Sequence, residues 1–334
     1  MNLDNKVIID QEEGEVLKFT IIGDCHFNHA TPKSRIDDYA STCVDKLESL
    51  RVSMLERGSK YLIMVGDIFH KPKQPVEFLV RIIQGFIKFK ESGIRVFSIV
   101  GNHCEIFDRL DSLERTSLGL LFETGVIEHL DSITIRSKER VVNILGCDYP
   151  NDLPEVTDFK AYNIAVAHKF YEFDLSDESL QEKDLEKYGF NMLVLGHDHV
   201  PYDLKTVDTK MGKVRIVRPG SFMRGTSHSY NTKRRVYTDT IEFNGTIRVI
   251  RDVLPVKSPE EIFSSSVMDK VDTKDLNKDL SRRFIELVTK IYNSDDNGMN
   301  VYNIIDDTSI DPAVKNRIEL YLESAGIFRK TVEN

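Results

Sequence analysis

Short apolar runs alternate with longer stretches of helical periodicity over the first two hundred residues. The runs at 17–22, 61–65, 96–100, 141–145, 163–167 and 192–195 are rich in branched and aromatic residues and have the length of strands. Between them, Ile36, Ala40, Val44, Leu47 and Leu50 recur at the spacing of one helix face, as do Phe78, Leu79, Ile82, Ile83, Phe86 and Ile87. Strands and helices alternating in this way predict a layered α/β domain. From 214 to about 254 the pattern turns to strands alone, VRIV, RVYTDTIEF and TIRVIRDVL, with Asn244-Gly245 as a hairpin turn. After Pro255 a polar, linker-like stretch leads into a helical stripe of Leu276, Leu280, Phe284, Leu287 and Ile291. A second helix opens at Asp311-Pro312, a cap followed by proline, and stops at Gly326. The expected organisation is a core at 1–255 and a linker with C-terminal helices at 256–334.

Composition narrows the class. In 334 residues, 40% are apolar and 30% charged, ordinary for a globular protein. No apolar run approaches the roughly 20 residues of a membrane helix, and the acidic N-terminus lacks an apolar leader core, so a cytoplasmic protein is expected. Cys25, Cys43, Cys104 and Cys147 are far apart and form no CxxC pair, which fits reduced thiols. A net charge of −9 excludes a uniformly basic nucleic-acid binder. Any DNA contact must come from a local patch, metals or a partner.

The chemistry gathers at five strand ends. FTII runs into Gly23-Asp24-Cys25-His26, YLIMV into Gly66-Asp67-Ile68-Phe69-His70, and VFSIV into Gly101-Asn102-His103. NIAVA ends at His168, and NMLVL runs into Gly196-His197-Asp198-His199. Carboxyl ends of strands are where α/β sheets hold their ligands. Residues two apart in extended chain point the same way, so Asp24 and His26 can share a face, and His197 and His199 can share one that excludes Asp198. Carboxylate, amide and imidazole without thiolate favour manganese, iron or zinc. Seven such groups exceed one ion's needs and suit two divalent ions, about 3.5–4 Å apart, sharing a carboxylate around a phosphoryl group.

These blocks, D-x-H, GD, GNH, H and G-H-x-H in that order, resemble the calcineurin-like metallophosphoesterases over roughly residues 19–254. The resemblance implies a layered β-sandwich flanked by helices, with a C-terminal helical appendage. It also implies that Asp24, His26, Asp67 and His199 hold one ion and that Asp67, Asn102, His168 and His197 hold the other, with Mn²⁺ the expected metal. His103 would sit beside the phosphate. Within the superfamily, Gly66-Asp67-Ile68-Phe69-His70 looks like the block of SbcD-type DNA repair nucleases and phage recombination endonuclease subunits, where its histidine is a second catalytic residue. His70 would take that role, and Lys71 and Lys73 would lie in a DNA-facing loop. Eight basic residues and no acidic one occupy 210–235. Arg218, Arg224, Lys233, Arg234 and Arg235 are therefore expected to face phosphates. Arg218-Pro219-Gly220-Ser221 is similar to the P-G-S turn that follows the last metal block.

By the same likeness, the terminal helices would bind the coiled-coil base of an SMC-like ATPase of the SbcC type, and a homodimer is also admitted. The reading is a metal-dependent DNA exo/endonuclease in a bacterial or phage-infected cell. Its alternative is a stand-alone metallophosphodiesterase or phosphatase acting on small nucleotides. Two departures stand out. Cys104 replaces the usual acid of the third block and would make the site oxidation-sensitive if exposed. The stretch before the terminal helices is too short for a full DNA-capping domain.

Overall fold

Alternate residues along the strand 17–22 face opposite ways. Leu17, Phe19 and Ile21 enter one core and Ile22 another, which is how a single sheet comes to have two covered faces. The computed structural model describes residue 3 and residues 5–106, 110–138, 140–172, 179–225, 231 and 235–264. Lys233, Arg234 and the helices expected beyond 264 lie outside the described residues.

The first strands are β1 (Lys6–Asp10), β2 (Leu17–Ile22), β3 (Tyr61–Met64), β4 (Arg95–Ser98) and β5 (Glu128–His129). They are followed by β6 (Ser132–Arg136), β7 (Val141–Cys147), β8 (Tyr162–His168) and β9 (Met192–Gly196). The last are β10 (Tyr202–Thr209), β11 (Gly212–Arg218), β12 (Tyr237–Phe243) and β13 (Ile247–Val253). One sheet has the order β13-β12-β2-β3-β4-β5 and the other β1-β6-β7-β8-β9-β11-β10. Their inner faces meet in one core, where Phe19, Ile63 and Phe97 of the first sheet pack with Ile144, Val166 and Val194 of the second. Each fully buried side chain of this size contributes about 1.5–3 kcal/mol.

Helices α1 (Tyr39–Glu56), α2 (Val76–Glu91) and α3 (Ser117–Glu123) share a second core with the other face of β2, β3 and β4. Asp38 caps α1 by accepting from the Ser41 amide at 3.1 Å. The helix therefore begins after Ile36, which is 61% exposed and does not belong to the buried stripe expected of it. Among the described residues, no helix is long and apolar enough to cross a membrane.

The six expected strands and the three expected after 214 are present, with ends shifted by a residue or two. β1, β5, β6 and β10 had no clear sequence signal. β1 and β10 are sheet edges, where solvent on one side dilutes the apolar run. The core also continues past residue 255. Ile262 and Phe263 are each 1% exposed, and the Ile262 carbonyl accepts from the Ile36 amide at 3.0 Å. Packed structure therefore continues through Phe263, past the boundary expected at 255.

Candidate metal centre

β2, β3 and β4 are adjacent and parallel, and so are β8 and β9 in the facing sheet. Their carboxyl ends emerge together, which brings the five blocks to one place. The first two blocks are stitched by backbone. The Cys25 and His26 amides both donate to the Asp67 carbonyl (3.0 and 2.8 Å), Phe27 donates to Ile68 and His70 to Phe27. Four non-glycine residues among those described have positive φ, and three carry the site: His26 (47°), Asp67 (46°) and His197 (79°). That conformation costs on the order of 1–2 kcal/mol per residue. It persists where surrounding bonds over-determine it, as they do for His26 and Asp67.

Among the described residues, three groups have ligand atoms within 4.8 Å of one another: Asp24, His26 and His199; Asp67, His168 and His197; and, at the rim, His26, His70 and His103. In the first, His26 Nε2 is 2.8 Å from His199 Nε2, which is 3.4 Å from Asp24 Oδ2. In the second, His168 Nε2 is 3.1 Å from His197 Nδ1, 3.3 Å from Asp67 Oδ2 and 3.0 Å from Asn102 Oδ1. Asp67 Oδ2 is also 3.7 Å from His26 Nε2, so this carboxylate lies between the groups. His168 Nδ1 donates to the Val65 carbonyl at 2.8 Å, which fixes the ring with Nε2 pointing into the group.

Ring nitrogens this close repel unless a proton or a cation lies between them. The donors are carboxylate, amide and imidazole, while the nearby Cys25 and Cys104 thiols are buried and pushed up, Cys104 to about 12. That set fits a borderline divalent cation such as manganese, iron or zinc. Burial of Cys104 also removes the exposure on which oxidation sensitivity depended.

Charge is arranged to suit. Burial pulls the His168 imidazole down, but Asp67 and Asp24 outweigh it and carry its pKa up to about 9. Burial opposes ionisation of both carboxylates, yet His168 holds Asp67 and Asp24 below the usual carboxylate range. Burial lowers His26 to about 3 against the pull of Asp67 and Asp24. It lowers His197 to about 4, with the His168 charge adding to it. At neutral pH, His26 and His197 are neutral donors facing two carboxylates.

At the rim, the His103 amide donates to Asp67 Oδ1 at 2.8 Å, and its ring Nδ1 donates to the His70 carbonyl at 2.9 Å. The His70 and His103 rings stack with centroids 5.4 Å apart, and the His26 ring is 4.8 Å from that of His103. His70 does not cap α2, whose N-cap is Pro75. Lys71 and Lys73 are exposed beside it, as is Arg235 farther along.

Arg218 and Arg224 are instead buried, at 5% and 3% exposure. Arg218 pairs with Asp198 at 2.9 Å, and Arg224 donates to the Lys257 carbonyl. Two of the five arginines and lysines expected to meet phosphates in 210–235 are thus spent inside the fold. Lys210 and Lys213 of the same segment pair with Glu186 and Asp208. Sequence reasoning also missed Phe170 and Tyr149, whose rings lie 4.0 and 6.2 Å from that of His197. Nothing in their spacing marks them, though Phe170 lies two residues beyond His168.

Comparison with known proteins places this geometry in a family. The calcineurin-like phosphoesterase profile matches residues 17–201, from β2 through the last block. The DNA double-strand break repair protein Mre11 of Methanocaldococcus jannaschii is 25% identical over 197 residues, covering 55% of this chain and 51% of that protein. Mre11 of Methanopyrus kandleri is 22% identical over 212 residues, covering 55% and 45%. The chain thus spans about half the length of these curated relatives. A crystal structure of a Thermus thermophilus protein superposes with a TM-score of 0.42 at 8% identity, covering 72% of this chain and all of that one. A novel archaeal phosphodiesterase superposes with a TM-score of 0.37 at 12% identity, covering 71% and 100%. With more than half of its length matched by that profile, the chain belongs to the calcineurin-like phosphoesterase family.

Proposed function

We propose that this phosphoesterase is a manganese-dependent nuclease that hydrolyses phosphodiester bonds in DNA, as the nuclease subunit of an SbcC–SbcD-like repair complex. Asp24, His26 and His199 would hold one ion, Asn102, His168 and His197 the other, and Asp67 would bridge them. The ions would supply an activated water and a clamp on the phosphoryl oxygens. His103, fixed through its amide to the bridging carboxylate, is positioned to protonate the leaving oxygen or to steady the transition state.

The observation that carries DNA as substrate is His70. It stacks on His103 at the rim with Lys71 and Lys73 exposed next to it, which joins a second imidazole and two exposed cations to the metal groups. The distant likeness to two Mre11 proteins supports this reading, and a coiled-coil ATPase partner for residues beyond 264 follows from it.

A stand-alone phosphodiesterase for small nucleotides is the second reading. The net charge of −9 and the internal use of Arg218 and Arg224 favour it, because they shrink the cationic surface open to a polymer. The two are separated by manganese-dependent degradation of linear duplex DNA measured beside hydrolysis of a small chromogenic phosphodiester. The nuclease reading expects both activities. Hydrolysis of the small ester with none of DNA refutes it in favour of the second.

A further inference from the structure

The turn after β11 grips two ligand blocks at once. The Ser221 amide donates to the His199 carbonyl at 3.0 Å, and the Phe222 amide to the Asp24 carbonyl at 2.8 Å. Gly220 has φ +75°, and a Cβ on it would lie 2.8 Å from the His199 carbonyl oxygen. A Cβ on Gly23 would lie 1.9 Å from the Gly220 carbonyl oxygen, so the first block and the turn are in backbone contact.

Arg218 opens this turn, and its side chain points inward. Its Nη1 is 2.9 Å from Asp198 Oδ2, and its guanidinium lies 4.6 Å from the centre of the Tyr202 ring. Asp198 stands between His197 and His199, and its Oδ1 accepts the Val200 amide at 3.0 Å. The carboxylate is therefore held from both sides. Behind it, Arg251 makes a bidentate pair with Asp239 (2.8 and 2.7 Å) and donates to the carbonyls of Arg218 (2.9 Å) and Tyr202 (2.5 Å). A fixed arginine thus anchors the one residue that both histidines flank. Bidentate and stacked guanidinium contacts of this kind carry geometric information that a point charge does not.

We propose that Arg218 is a positioning residue, which through Asp198 sets the segment 197–199 so that His199 joins Asp24 and His26 around one cation. The proposal rests on the metal reading above. It replaces the phosphate contact expected of Arg218 from sequence, and it explains why a residue excluded from the ligand face is paired with a buried cation. The effect should fall on one ion more than the other, because the same turn also holds the carbonyls of His199 and Asp24.

The test is calorimetric titration of manganese into metal-stripped full-length protein, with melting of each stripped protein followed in parallel. Wild type should show two binding steps; a wild type that takes up no manganese overturns the metal reading and this proposal together. With two steps in hand, Arg218→Met and Asp198→Asn should each weaken one step by about 10–100-fold, the usual scale for a group that orients a ligand, and leave the other step in place. The double variant should be no weaker than the worse single one, because both act through one contact. Arg218→Lys should recover part of the loss. Should Arg218→Met fail to fold, the isosteric Asp198→Asn carries the test alone, since that carboxylate is 21% exposed and tolerates the change. Two intact binding steps in a folded variant overturn the proposal. So do losses that multiply in the double variant, or a fall in stripped-state melting with no change in metal affinity.

Discussion

Alanine at Gly101 perturbs the geometry of Asp67 without replacing any proposed ligand. Gly101 has φ −105° and ψ 170°, open to any residue, so the substitution brings no backbone strain. Its consequence is steric. A Cβ there would lie 2.3 Å from Asp67 Oδ1 and 2.5 Å from the Asp67 amide nitrogen. Ordinary contact begins near 3.4 Å, so carboxylate and loop must part by about 1.1 Å, the difference between 3.4 and 2.3. The Asp67 backbone cannot give freely, because its carbonyl takes the amides of Cys25 and His26. The carboxylate and the loop at Gly101 are therefore both displaced, and with them the 2.8 Å bond to the His103 amide. A misplacement of about 1 Å in a reacting constellation costs on the order of 100-fold in rate, or about 2.7 kcal/mol. Overpacking adds about 1–3 kcal/mol of destabilisation. The assay is kcat on a small chromogenic phosphodiester in manganese, read beside metal content and melting temperature. Gly93→Ala serves as the control, having φ +74° with nothing within 4 Å of the added carbon. It should lose about 1 kcal/mol of stability and no rate. A folded Gly101→Ala protein with wild-type kcat would refute the placing of Asp67 at the centre of the reaction.

Asp67→Ala should abolish hydrolysis of every substrate and lower metal content, whereas His103→Ala should keep its metal and lose about 10²–10⁴ in rate; an empty site in His103→Ala refutes its role. Burial lowers His129, but its 2.8 Å bond to Asp148 and that carboxylate's charge raise it above 6.5. A raised folded value means the pair stabilises fully below pH 6.5 and less as pH climbs through that value, so Asp148→Asn should destabilise most in acid; a loss equal at all pH refutes the pairing. A fragment ending at 264 should melt above one ending at 255, because the shorter loses Ile262 and Phe263 at about 1.5–3 kcal/mol each; equal melting temperatures refute a core that extends past 255.

The inner strands and the five blocks were legible because each is local. A run such as FTII followed by Gly-Asp-Cys-His states both a buried strand and the residues at its end, and periodicity assigns their faces. Which blocks adjoin is not local. That His26 meets His199 across 173 positions follows from the parallel pairing of β2 with β3 and of β8 with β9 in facing sheets. Order of blocks carried this only through family likeness. The edge strands β1 and β10 and the cap at Asp38 were obscured for the opposite reason, since solvent on one side weakens the pattern that marks an element.

The basic segment shows where composition misleads. Eight cations without an acid in 210–235 look like a surface made for phosphate when the partners are not visible. In the fold, Arg218 finds Asp198 from the preceding block, Arg224 finds a carbonyl beyond β13, and Lys210 finds Glu186. A buried guanidinium needs such a partner, because an isolated charge out of water is far more costly than any phosphate contact could offset. Clustered charge in sequence is therefore evidence of a surface only after burial has been assigned. By that measure Lys71 and Lys73 are, among the described residues, exposed cations beside the metal groups. They stand next to His70, so weakening of DNA binding by their loss, with the small ester still cleaved, is what the nuclease reading requires.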